Sequence, residues 1–401
     1  MHVKHFLASS FPFIVFVFLC LSFVSQWFSP FLLSLSTIVF IIYFFVHFKE
    51  VVSDNKNILT VLFILVVLGS TSFISGGDLE TISSKLLLLI GLFFTHLTAL
   101  HYFKNYKKYT GWFLLVAVFT VVIVNLVSVT NYINNKKELD ELLLQSKSIP
   151  VLGLHHIHFG VINAFTILIL AGLIITRRFK SNKWFVYISL GITVISFHIL
   201  SSRTGIISLY SSALVGLLVY GFSHKAYKSM ILSFVLILFA IMSAYFLSTS
   251  FKNKVTNSIE DVQSWGNGDD INFKSMAMRI EAYKVCSNII AENPAFGVGS
   301  GNLDAEMARG YKKIDTPLKY ENRVGPHNQF LEFGVKFGLL GVFTLIGYFI
   351  ILFKESNFNY ILISLFLILL VSMMFESLWE RQNSILFTSL YISLGYNLFK
   401  T

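Results

Sequence analysis

The stretch WFVYISLGITVISFHILSSRTGIISLYSSALVGLLVY, residues 184–220, sets two long apolar runs on either side of one arginine, Arg203. As a helix, either run (185–202 or 205–222) is long enough to cross a hydrocarbon layer about 30 Å thick. They meet at a tight turn, Ser201 to Thr204, which takes in the last two residues of the first run. Barrel strands alternate apolar and polar residues, and these runs do not, so two membrane helices joined by a tight turn are expected.

Further runs of the same kind fill the chain on both sides of this pair. Upstream they lie at 10–28, 31–48, 58–75, 84–103, 112–132 and 158–176, and downstream at 231–249, 337–353, 359–375 and 382–398. The expected fold is therefore an all-α polytopic membrane helix bundle of about 12 transmembrane helices. Composition agrees: 55% of the 401 residues are hydrophobic and 13% charged, against about 25% charged in soluble domains. The first run is long, lacks a small-x-small cleavage site and is followed at once by another run, so it reads as a retained helix.

The net charge of +10 would suit a polyanion partner if it were gathered in one stripe, but its placement rules out nucleic acid. The basic clusters are Lys104, Lys107 and Lys108; Arg177, Arg178, Lys180 and Lys183; and Lys225 and Lys228. All fall in even-numbered connections, which become cytoplasmic if the amino terminus is inside. The opposite face then receives residues 133–157, the Ser201–Thr204 turn, a long loop at 251–328 between spans 9 and 10, and residues 376–383. Three regions follow: helices 1–9 in 1–250, the loop in 251–328 and helices 10–12 in 329–401. Trp27, Trp112, Trp184 and Trp379 sit at span ends, where interface anchors belong. In the loop, Met276, Ile280, Tyr283 and Ile290 form an apolar stripe that predicts an amphipathic helix over 273–293, lying on the membrane surface. Cys20 and Cys286 are the two cysteines; one in a span and one in the loop imply neither a disulfide framework nor a thiolate metal site.

Several residues on that face could carry chemistry. Arg203 stands against the charge rule, and a guanidinium at membrane depth calls for an anionic partner, unless it merely snorkels to the headgroups. Arg279 is on the loop helix on the same side, with a solvated face as the plain alternative. His327, between Pro326 and Asn328 where the loop re-enters the membrane, can take a proton from a hydroxyl near neutral pH. His155, His156 and His158 beside Gly153 resemble a metal site by count, but neighbours in sequence rarely converge on one ion, so substrate contact is preferred and no metal is expected. Asp269 and Asp270 read as a solvated turn. The glycine-rich segment 296–302 lacks the Lys-Ser/Thr ending of a nucleotide loop. Paired broken helices and charged midplane residues, the marks of a secondary transporter or flippase, are sparse.

These residues together resemble the O-antigen ligase and polymerase superfamily. The resemblance rests on the Ser202-Arg203-Thr204-Gly205 turn, Arg279 on its helix, Asn293-Pro294 with the segment from Phe296 to Asn302, and His327-Asn328 followed after nine residues by Gly338-x-x-Gly341. It is strongest over 273–345, Thr344 is displaced from its usual place, and the first five spans match in topology alone. The resemblance implies a glycosyltransferase in the bacterial inner membrane, with its site facing the periplasm and no cofactor. The donor would be a glycan on undecaprenyl pyrophosphate and the acceptor the lipid A core, giving an O-antigen ligase. A polysaccharide polymerase, which uses a growing lipid-linked chain, and a protein O-glycosyltransferase are the alternatives. Arg203 and Arg279 would hold the pyrophosphate and His327 would activate or orient the acceptor hydroxyl. Asn328, His155, His156, His158 and Arg323 would contact substrate, and the backbone at Gly299 and Gly301 would pass beneath the pyrophosphate. Lys319, Glu376, Glu380 and Arg381 are expected on solvated faces near the acceptor groove.

Overall fold

The computed structural model describes residues 29–144, 148–152, 155–178 and 183–400. The expected first span, with Cys20 and Trp27, lies outside them, as do Gly153 and Lys180. The regular elements are α-helices with two short 3-10 turns: α1 Ser29–Val46, α2 Phe48–Asp54, α3 Lys56–Ser75, α4 Leu79–Asn105, α5 Lys107–Asn134, α6 Lys136–Leu144, α7 His156–Thr176 and α8 Lys183–Leu200. The chain continues with α9 Arg203–Ser223, α10 Tyr227–Leu247, α11 Thr249–Asn267, α12 Ser275–Glu292, α13 Leu303–Lys313, α14 Gln329–Glu355, α15 Tyr360–Phe375 and α16 Gln382–Phe399. Among the described residues eight helices are long and apolar enough to cross a membrane, and a ninth crossing arises if α1 and α2, bent by 92°, count as one. The protein is an all-α polytopic bundle.

Helices α15 and α16 occupy the last two expected spans, yet α15 is short and α16 is polar. The polar side chains of α16 explain its tolerance: Ser384, Thr388, Ser389 and Ser393 are buried among α4, α7 and α15, and several bond their own helix, as Thr388 Oγ1 does to the Ser384 carbonyl at 2.7 Å. A helix shielded from lipid by its neighbours need not be apolar all round. Helix α10 shows the opposite case, being strongly apolar beyond its first turn with no buried residue, as suits a helix facing lipid at the bundle edge.

The long loop is a folded unit. Helix α12 forms where the apolar spacing predicts, but it does not lie alone on a membrane surface. Its most buried stripe is Ala277, Ala282, Val285, Cys286 and Ile289, adjacent to the stripe expected, and it packs against Met307 and Tyr311 of α13 and Val335 of α14. Burial raises the Cys286 thiol to about 12, so this cysteine is inert. Asp270 closes a solvated turn by accepting from the Asn272 amide at 2.9 Å.

Helix α14 begins eight residues before the expected span at 337–353 and breaks at Gly338, where φ is 65°. A break in a membrane helix frees backbone groups that lipid cannot satisfy. Here the glycine-rich loop supplies the partners: the amides of Val298 and Gly299 donate to the Val335 and Lys336 carbonyls at 2.8 and 2.9 Å, and the Leu339 amide donates to Pro294 O at 2.8 Å. On its far side the same loop clasps the α3–α4 connection through Ser300 N to Ser72 Oγ at 3.0 Å and Asn302 Nδ2 to the Gly76 carbonyl at 3.0 Å. Gly299 and Gly301 press on Ser75 and Ile82.

Below the break, α14 carries buried charge. Lys336 Nζ lies 2.7 Å from Glu332 and 2.8 Å from Glu380, and Lys85 of α4 is 2.8 Å from Glu380. Burial opposes ionisation of Glu380, but Lys336 and Lys85 prevail and lower its pKa. Ser377 Oγ donates to Glu332 at 2.9 Å and the Trp379 amide to Gln329 Oε1 at 2.8 Å. The 376–380 turn is thereby pinned to α14. Glu376 and Glu380 are not on solvated faces, and Trp379, 2% exposed, is a core residue packed on Tyr348 rather than an interface anchor. Trp112 and Trp184 are exposed.

Candidate active site

The Ser201–Thr204 turn is held by its own backbone and by close helix packing. Ser201 adopts left-handed φ 45°, its hydroxyl meets that of Ser250 at 2.6 Å, and the Ser202 carbonyl at the N-cap position accepts from the Ile206 amide at 3.0 Å, opening α9. Gly205 completes the turn because a Cβ there would come within 2.6 Å of the Gly160 carbonyl on α7. This approach brings the start of α7, with His155 and His156, beside Arg203.

Arg203 Nη1 is 3.7 Å from Asp261 Oδ2 on α11, a carboxylate already accepting from the Met276 amide at 3.0 Å. Its Nε and Nη2 are buried with no hydrogen-bond partner among the described residues. Leaving guanidinium donors dry and unpaired is costly, so two donors stand ready for an anion. Lys254, one turn into α11, shares the space. Burial and the nearby Arg203 lower its pKa to about 8, against the pull of Asp261.

Arg279 and His327 meet on Glu376. Arg279 Nη1 donates to the Phe375 carbonyl and Nη2 lies 3.5 Å from Glu376 Oε2, while His327 Nδ1 is 3.2 Å from both Glu376 oxygens. Burial would raise the pKa of this carboxyl, but the hydrogen bond and charge of His327 and the charge of Arg279 outweigh it, leaving Glu376 at about 2. His327 itself has left-handed φ 43°, a strained state for a residue with a Cβ. Asn328 holds it there, capping α14 by accepting from Phe330 N and Leu331 N at 2.9 and 3.1 Å and donating to Met374 O at 2.9 Å.

Arg203, Lys254, Arg279, His327, His155 and His156 line one cavity of about 590 Å³, with apolar walls from Phe251, Met276 and Phe375. Six cationic or protonatable groups line this cavity, with the carboxylates Asp261 and Glu376 behind them as their partners; that excess favours an anionic ligand, and the volume admits a diphosphate with a sugar. The O-antigen ligase family matches residues 188–346, the stretch holding Arg203, Lys254, Arg279 and His327. Over those residues the chain is similar to that family. Its sequence is also 25% identical over 197 residues to an uncharacterized protein of Haemophilus influenzae, covering 48% of each chain. The chain thus spans about half the length of the curated relative it matches.

Not every residue expected at the site reaches the cavity. Gly299 and Gly301 do not line it: the Gly299 amide is spent on Lys336 O and both glycines serve the clasp between the loop and helices α3, α4 and α14. His158 is 3% exposed and faces Ser384 of α16, one helical turn away from the cavity. Arg323 lies over the rings of Tyr311 and Tyr320, whereas its neighbours Asn322 and Val324 are the cavity residues. Asn328 acts on the backbone that holds His327. His155, at the cap of α7, has its pKa lowered by burial and then by Arg381, against the opposing pull of Glu376, and its Nδ1 is buried without a partner among the described residues. His156 Nδ1 pairs with Ser148 Oγ at 2.9 Å.

Sequence reading missed three groups: Lys254, Asp261 and the central role of Glu376. Lys254 and Asp261 have the spacing of one helix face, seven residues apart on α11, and that pairing was the available signal. Nothing local marks Glu376, whose partners are 97 and 49 positions away.

Proposed function

We propose that this protein is a membrane glycosyltransferase of polysaccharide assembly that moves a glycan from undecaprenyl pyrophosphate to an acceptor on the extracytoplasmic side. Among acceptors we favour the lipid A core, which makes the protein an O-antigen ligase. The observation that carries this reading is the pair of buried, unpartnered Arg203 donors in the same cavity as the Arg279–Glu376–His327 cluster. A diphosphate fills that need as a neutral sugar does not, because planar guanidinium groups match phosphate oxygens in pairs.

The transfer is inverting. The acceptor hydroxyl oxygen attacks the anomeric carbon, and the bond from that carbon to the diphosphate oxygen breaks with the electron pair leaving on the diphosphate. Arg203 and Arg279 stabilise this growing negative charge in a partly dry cleft. The hydroxyl proton passes to His327, whose Nδ1 is held by Glu376, so that Nε2 is the nitrogen left to receive it. The Glu376 carboxylate then stabilises the imidazolium. The carrier bond is already activated, so the step needs no nucleotide and no metal. The glycan polymerase shares all of this chemistry and differs in the acceptor.

Purified protein in vesicles, given undecaprenyl-pyrophosphate oligosaccharide with either lipid A core or a second lipid-linked glycan, tests the reading. Glycan on the core identifies a ligase and lengthened lipid-linked glycan identifies a polymerase. Turnover of neither acceptor overturns the proposal.

A further inference from the structure

At the other end of the bundle from the cavity, the corner between α1 and α2 meets the end of α4. Helix α3 runs between this corner and the glycine-rich loop: its Ser75 end touches the loop, and the opposite end of this 20-residue helix is about 30 Å off. Here His47 and His101 are 4% and 3% exposed. His47 sits at the break between α1 and α2 and stacks on Tyr43 with ring centres 4.5 Å apart.

Each imidazole has Nδ1 against a carboxylate: His47 to Glu50 at 2.6 Å and His101 to Asp54 at 2.8 Å. Asp54 is itself fixed by Lys104 at 2.6 Å and Asn105 at 3.2 Å. On His101 the Asp54 carboxylate sets the tautomer and frees the lone pair of Nε2, which is how metal-binding histidines are supported; Glu50 has no such role on His47, because it must leave the ring to serve as a ligand itself. His47 Nε2 is buried with no hydrogen-bond partner among the described residues. One nitrogen from each histidine and one carboxylate oxygen of Glu50 lie within 4.8 Å of one another, the one such group of three found among the described residues.

We propose that His47, Glu50 and His101 bind a divalent transition-metal ion, with Asp54 orienting His101. Two imidazoles and a carboxylate with a fourth position left for water is a zinc donor set. Bonds of about 2.0–2.2 Å require the three ligand atoms to draw together, a small side-chain rotation for the half-exposed Glu50. The ion ties the bent α1–α2 corner to α4, joining two connections that the charge pattern places in the cytoplasm. It takes no part in the transfer reaction, and the site stands independently of the function proposed above.

The test uses full-length protein purified without a histidine tag. Zinc titrated into the apo protein in detergent should bind at one equivalent per chain and raise the unfolding temperature. Cobalt in the unmutated protein should give the intense visible bands of a tetrahedral N/O site, erased by one equivalent of zinc. His47→Ala and His101→Ala should each abolish stoichiometric binding, and Asp54→Asn should weaken it about 10- to 100-fold. Cobalt that stays octahedral and weakly coloured in the unmutated protein, or zinc binding unaltered in both histidine variants, overturns the proposal.

Discussion

The amide of Leu339 donates to the carbonyl of Pro294 at 2.8 Å, so a segment of the long loop completes a transmembrane helix broken at Gly338. The break and the loop are one device, and Gly338 is its weakest point. Its φ of 65° costs any residue with a Cβ roughly 1–2 kcal/mol, and that Cβ would also collide with the Ala295 carbonyl. Gly338→Ala should therefore lower thermal stability by more than the backbone term alone. Gly347→Ala, on the same helix with open space around it, should be neutral or slightly stabilising. Equal unfolding temperatures for the two variants would show that the loop does not depend on the break.

His327 and Glu376 should behave as a unit in transfer. His327→Ala removes the proton acceptor and should slow turnover by about 10²- to 10⁴-fold. Glu376→Gln keeps the shape but loses the charge that steadies the imidazolium, so it should slow turnover as well. Because both changes break one relay, the double variant should be little worse than His327→Ala. Multiplicative losses in the steady-state rates would separate the two residues.

Arg203 presents a fork rather than a point charge. Arg203→Ala should cost about 10²- to 10³-fold in turnover, the scale for losing one oxyanion donor. Arg203→Lys should recover little, since an ammonium cannot reproduce two planar donors. Full rescue by lysine, measured as the initial rate at saturating donor, would mean that charge alone matters and that the unpaired donors are incidental.

Stability should depend on Glu376 at acid pH. The folded-state value of about 2 lies below the unfolded value of about 4.3. A carboxyl depressed on folding contributes stability that is complete above the unfolded value and is lost as pH falls towards the folded one. The contribution is on the order of 3 kcal/mol, and Glu376→Gln should be without it at every pH. Denaturation curves at pH 7, 4 and 3 should show the unmutated protein losing its advantage over the variant across that interval. A constant difference would mean that Glu376 is not perturbed.

The bundle was legible because membrane helices announce themselves by length and apolarity, and Arg203 was legible because a charge in so short a turn has few reasons to be there. The site's partners were harder to read, because the spacing that reveals a helix face says nothing about contacts such as Arg279 with Glu376. The glycines misled for a physical reason. A run such as Gly297-Val298-Gly299 suits either a phosphate cradle or the close passage of two backbones, and only the mate at Gly338 tells them apart. Trp379 misled in the same way: interface and interior both accept a tryptophan, and packing decides.

Lys254 gives the cavity a titration of its own. Its pKa of about 8 means that the side chain is part neutral in mildly alkaline buffer, held down by burial and by Arg203. A diphosphate bound beside it favours the protonated form and raises that value. Binding must then take up a proton at pH above about 8, and affinity must fall as pH rises through that range. Inorganic pyrophosphate titrated calorimetrically at pH 8.5, in two buffers of different ionisation heat, should show proton uptake of part of one equivalent. Lys254→Met should bind more weakly and show no uptake from this group. If the unmutated protein binds pyrophosphate with no buffer dependence, Lys254 does not face the anion, and the cavity's positive charge rests on the arginines alone.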